Sequence, residues 1–206
     1  MSRSCTYKRY YAVKGSIFGA IKSHKKIVLL SLMICFFSIV VAVCMLSNYS
    51  ESIDIANCID KKFICFLCGE IGFWGYLFSK LFWILLCFSI IIFSCFSKLF
   101  YLLSFSTLIV FCFTSIFDIG VVIICFSLSG VIFALITLIP LFLLQFMFLL
   151  YLLCECYEAH FCNCKNSNFF SNNAGKIVFL VVLSLCINIL FLFLIKIISP
   201  IFIVIV

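Results

Sequence analysis

Charge is scarce in this chain. Asp, Glu, Lys and Arg make up 10% of its 206 residues, against about 25% in soluble domains. That scarcity excludes an ordinary soluble fold, and no polar stretch is long enough for an independent soluble domain. Histidine occurs twice, as His24 and His160, each reading as a loop residue. No G-x-S-x-G, H-E-x-x-H or P-loop pattern is present. The acids Glu51, Asp54, Asp60 and Glu70 are scattered along one segment. With so few groups to move protons or attack a substrate, the chain reads as non-enzymatic and in need of no cofactor. Proline also occurs twice. An internal repeat of the kind that marks the inverted halves of secondary transporters is missing as well.

Hydrocarbon fills the space that charge leaves. Hydrophobic residues account for 67% of the chain, and Phe alone occurs 28 times. Phe, Ile and Leu recur in low-complexity fashion. Four apolar blocks stand out, Ile27–Leu46, Leu81–Gly130, Val131–Cys154 and Ile177–Ile195. A bilayer core about 30 Å thick takes ~20 apolar residues per helical crossing, so the second block holds two crossings and the total is five. Inside lipid each backbone polar group must be satisfied within its own segment, which makes every crossing a helix. The expected fold class is all-α, a polytopic transmembrane helical bundle.

The charges divide the chain further. A basic head, residues 1–26, carries Arg3, Lys8, Arg9, Lys14, Lys22, Lys25 and Lys26 with no acid. Span 1 covers 27–46 and an extracytoplasmic loop 47–80. Residues 81–154 make three closely spaced spans with an outer turn near 127–130. A Cys-rich cytoplasmic loop, 155–176, precedes span 5 at 177–195 and a short tail at 196–206. This layout puts ten cations inside (the head, Lys98, Lys165 and Lys176) and four outside. The positive-inside rule then gives a multi-pass cell-membrane protein with a cytoplasmic N-terminus. The apolar run is too long for a signal-peptide core and no A-x-A site follows it. The head interleaves Tyr7, Tyr10, Tyr11, Ile17, Phe18 and Ile21 with its cations. It reads as an amphipathic helix on the anionic inner leaflet or as a basic orienting tail, with no nucleic-acid role.

Fifteen cysteines are present. Those within spans read as small apolar packing residues. Cys58, Cys65 and Cys68 share the outer loop, where one pair could oxidise. The densest group is Cys154, Cys156, His160, Cys162 and Cys164. Tetrahedral zinc wants four S or N ligands, but structural sites favour a wider C-x2-4-C spacing, so metal is not favoured and thiols at a membrane edge are the alternative. Asp118 is the acid among the spans. It lies either deep in the third span, where a carboxylate is costly and marks function, or at an interface if the span breaks at Asp118-Ile119-Gly120. Gln145 and Asn188 fall mid-way along the fourth and fifth spans, placed for interhelical hydrogen bonds. Pro140 should kink the fourth span and free the carbonyl of residue 136.

The layout, together with Ser129-Gly130-Val131-Ile132-Phe133 and Pro140 ten residues beyond Gly130, resembles the stage II sporulation protein M family. Family members place Gly at such a hairpin and Pro at that remove. Gly120 fits the small-residue spacing of the third span. Many members follow the Pro with His-Gly and a Glu five residues after it, where this chain has Leu141, Phe142 and Gln145. The resemblance implies a membrane scaffold that gathers cell-wall hydrolases, similar to stage II sporulation proteins D and P, at the septum during engulfment. For such a scaffold the dock would be the aromatic stretch with Phe73, Trp74 and Tyr76. An aromatic belt anchoring the loop to headgroups is the competing reading. A small permease, or the membrane subunit of a transporter, is the alternative function. It requires Asp118, Gln145 and Asn188 to converge on one polar path.

Overall fold

A computed structural model describes residues 24–48, 65–67, 71–94, 98–161 and 169–202, and these form helices and turns with no strand among the described residues. The helices are α1 (Lys25–Asn48), α2 (Phe73–Phe93), α3 (Lys98–Ile136), α4 (Leu138–Phe161) and α5 (Phe169–Phe202). The fold is an all-α bundle. At 1.5 Å per residue the 24 residues of α1 reach ~36 Å, enough for a bilayer core. A continuous apolar stretch of 56 residues, Leu102–Tyr157, is nearly three times the ~20 residues one crossing takes.

That stretch folds back on itself at Ser127. Its φ of 51° and ψ of −130° interrupt α3, and it is the non-glycine residue with positive φ among those described. Residues eight apart in a continuous helix are ~12 Å apart. Yet a Cβ placed on Gly130 would collide with the Val122 carbonyl oxygen and come within 3.1 Å of the Phe126 Cβ. The two arms of α3 are therefore pressed together just beyond the turn, and only glycine leaves room for the contact. The second arm runs on into α4, with helical bonding lapsing at Thr137, three residues before Pro140. The Thr137 N–H still donates to the Phe133 carbonyl at 3.0 Å, and so does its hydroxyl, at 2.7 Å. Pro140 sits in the first turn of α4, where its missing N–H costs least.

The bundle is apolar outside and polar inside. Phe36, Phe37, Phe78, Phe82, Leu128, Leu190 and Ile197 are exposed, whereas Ser31, Thr107, Asp118, Gln145, Ser184 and Asn188 are buried. A water-soluble protein shows the opposite sorting. Facing a bilayer this surface is at rest, and the chain is a multi-pass membrane protein. Several hydroxyls along the spans are satisfied within their own helices: Ser38 donates to the Ile34 carbonyl at 2.9 Å and Thr107 to the Leu103 carbonyl at 3.0 Å.

Two core clusters mark the two ends. One gathers Ile27, Ile91, Leu153, Cys154, Cys156 and Ile177. The other gathers Phe66, Tyr76, Val122, Phe133, Leu192 and Ile195. Each helix thus passes from one end to the other in alternation, with the Ser127 turn at the second.

Helical structure extends past two boundaries read from charge. Residues 73–80, assigned to the loop before span 2, form the first two turns of α2. Residues 155–161 continue α4 and α5 begins at Phe169, both inside the segment read as the loop 155–176, whose residues 162–168 lie outside the described residues. Charge counting treats Lys80 and Glu155 as water-facing, but helical bonding continues through both. The basic head up to residue 23, most of the 47–72 segment and the last residues of the tail lie outside the described residues.

Candidate functional site

The four helices α2, α3, α4 and α5 leave a cavity between them. Residues at helical repeats point into it: Tyr76, Lys80 and Ile84 from α2; Phe111, Ser115 and Asp118 from α3; Leu138, Phe142 and Gln145 from α4; Asn188, Leu192 and Ile195 from α5. Its volume is ≈ 40 Å³, room for about three waters at the ~10–15 Å³ each requires.

An ion pair crosses one wall. The Lys80 Nζ donates to Asp118 Oδ2 at 2.9 Å, with the Asp118 side chain 8% exposed and that of Lys80 25% exposed. Helix α3 runs unbroken through Asp118-Ile119-Gly120, so the acid lies within the span and the break comes at Ser127. Gly120 beside it lies against α1, where an added Cβ would collide with the Leu46 side chain. A buried carboxylate needs a partner to stay charged, and Lys80 supplies it from 38 residues away.

The opposite wall is an amide network. The Ser184 hydroxyl donates to Gln145 Oε1 at 2.6 Å, and Gln145 Nε2 donates to the Ser184 carbonyl at 3.2 Å. Asn188 Nδ2 donates to the same carbonyl at 2.8 Å. Asn188 Oδ1 is buried and has no partner. Gln145 thus ties α4 to α5 and leaves the carbonyl near Pro140 alone.

Comparison with protein-family models, curated proteins and solved structures finds no match. The site must speak through its own geometry. Asp118, Gln145 and Asn188, read separately from the sequence, line one cavity. Lys80 joins them at the cavity and Ser184 bonds Gln145 beside it, though neither stands out in the sequence. Their signal in sequence was a charge and a hydroxyl set one helical face from a candidate, which is visible only once the pairing of helices is known.

The aromatic stretch is not one open patch. Tyr76 is buried and stacks on Phe66 at 4.6 Å. Phe73 is half-buried, 4.7 Å from the Phe193 ring, with Lys196 Nζ 5.1 Å above it. Trp74 alone of the three is exposed. Of the candidate metal ligands, Cys154 and Cys156 alone have described side chains. Cys154 and Cys156 are fully buried on α4. Two residues apart on a helix, they diverge by ~200° around its axis. The Cys156 thiol donates to the Ile91 carbonyl at 3.4 Å. The side chain of His160, and all of Cys162 and Cys164, lie outside the described residues. No cluster of three or more metal-ligating side chains occurs among the described residues.

Proposed function

We propose that this protein is a non-enzymatic small permease, or the membrane subunit of a transporter, working through the cavity between α2, α3, α4 and α5. One observation carries the reading: charged and amide side chains from four spans meet around a single cavity within the bundle. Polar groups at such depth are expensive and mark solute paths by default. The size of the cavity limits the solute to a small polar species or ion. A cytoplasmic N-terminus, from the excess of cations on that side, remains part of the proposal.

The test is flux in proteoliposomes with the purified full-length chain. A panel of small ions and neutral polar solutes should show permeation above protein-free vesicles, and Asp118→Asn should reduce it at least tenfold. Rates equal to protein-free vesicles across the panel sink the reading.

A second reading is the septal scaffold implied by resemblance to stage II sporulation protein M. Its support is Trp74, exposed beside the Phe73 ring, which in turn lies near Phe66, since buried aromatics dominate binding hot spots. Under that reading Trp74→Ser should abolish co-purification of cell-wall hydrolases while membrane insertion persists. The basic head would hold the anionic inner leaflet under either role.

A further inference from the structure

Most side chains around the cavity are apolar, and of its few oxygen acceptors one is unclaimed. Asn188 is 1% exposed, and its Oδ1 has no hydrogen-bond partner. Its amide orientation is fixed, because Nδ2 donates to the Ser184 carbonyl at 2.8 Å and the flipped amide would set two oxygens face to face. A buried acceptor left bare is destabilising, so Oδ1 calls for a donor or a cation. The Asp118 carboxylate and the Ser115 hydroxyl line the same space. Carboxylate, amide and hydroxyl oxygens are hard ligands that suit hard cations.

Size and charge narrow the class. A cavity of ≈ 40 Å³ admits an alkali ion with one or two waters and refuses an organic cation as large as N-methylglucamine. Asp118 is the one carboxylate among the described lining residues, and it balances one positive charge. A divalent ion would keep an uncompensated charge in a low-dielectric interior, which is costly.

Lys80 is a resident competitor. Its ammonium holds Asp118 Oδ2 at 2.9 Å, yet its side chain is 25% exposed. It stands seven residues into α2, roughly 10 Å from the helix start. A four-carbon stem lets the head swing toward the interface. We infer that the cavity is a binding site for a small monovalent metal cation, held by the oxygens of Asp118 and Asn188, and that Lys80 leaves Asp118 as the cation enters. The inference rests on the permeation reading of this cavity and names its substrate class.

Thermal unfolding of the full-length protein in detergent tests it, in NaCl, KCl and N-methylglucamine chloride at equal ionic strength. A ligand bound only by the folded state raises Tm with its concentration. The expected result is a saturable rise in Na⁺ or K⁺ and none in N-methylglucamine. Asn188→Leu keeps the Lys80–Asp118 pair and should raise the cation midpoint at least tenfold. Asn188→Asp keeps the volume, adds a charge and should lower it. If Asn188→Leu fails to fold, the Asp variant carries the test. Equal Tm in all three salts, as water alone in the cavity would give, overturns the inference. So does a midpoint that neither substitution moves. A saturable rise without Na⁺ or K⁺ flux in proteoliposomes sinks the permeation reading and leaves the site standing. Flux of another solute with a flat Tm does the reverse.

Discussion

Breaking the Lys80–Asp118 pair from its two sides should cost very different amounts. Lys80→Met takes the Lys80 ammonium away from the Asp118 carboxylate, 8% exposed. Removing one partner of a buried pair costs about 3–5 kcal/mol, because the survivor is stranded. Asp118→Leu strands Lys80 instead, but that side chain is 25% exposed and its head can reach the interface. Discounted for this escape, the cost falls to about 1–2 kcal/mol. The double variant Lys80→Met with Asp118→Leu strands nothing. Replacing a buried pair by apolar groups of similar volume is near neutral, so it should lie within about 1 kcal/mol of the native chain. The assay is equilibrium unfolding by SDS in mixed micelles, followed by far-UV circular dichroism. The dodecyl sulfate should be supplied as its N-methylglucamine salt in place of the sodium salt, because an alkali ion would shield the stranded carboxylate. Equal costs for the two single variants would refute the reasoning from exposure. A double variant as unstable as Lys80→Met would refute the claim that the loss comes from a stranded charge.

Further expectations follow from the helix contacts. Gly130→Ala meets a backbone carbonyl at the Ser127 turn and should cost about 3 kcal/mol, whereas Gly120→Ala meets the movable end of Leu46 and should cost about 1 kcal/mol or less; the same SDS titration ranks them. Gln145→Leu and Ser184→Ala should each destabilise by about 1 kcal/mol, and a double-mutant cycle should return most of that as coupling, since the two side chains bond each other. In a cysteine-free background, single thiols at Ser127 and Ser47 should label from one side of the membrane and a thiol at Ser94 from the other; a thiol at Ser2 that labels from outside would reverse the orientation.

The membrane character and the helical class were legible in composition and in the length of the apolar runs. Both are local properties: a long enough run must cross, and a crossing chain must bond its backbone to itself. The long block around Ser127 could likewise be divided by length alone. Which faces of those helices meet was not legible. A span that is apolar all round carries no stripe to show its inward side, and Phe, Ile and Leu fill every face here. Lys80 read as the edge of a loop because a lysine near a run's end ordinarily marks water. Its pairing with Asp118 depends on α2 and α3 lying side by side at one rotation. The bond of Gln145 to Ser184, 39 residues on, depends equally on α4 facing α5. Aromatic residues 73, 74 and 76 looked like one patch for the same reason. A helix turns each by about 100° from the last, and this sends Tyr76 inward under Phe66 while Trp74 faces out. Local chemistry decides that such a chain enters the membrane as helices. The rotation of each helix against its neighbours, set by packing between residues far apart in the chain, decides where its few polar groups meet.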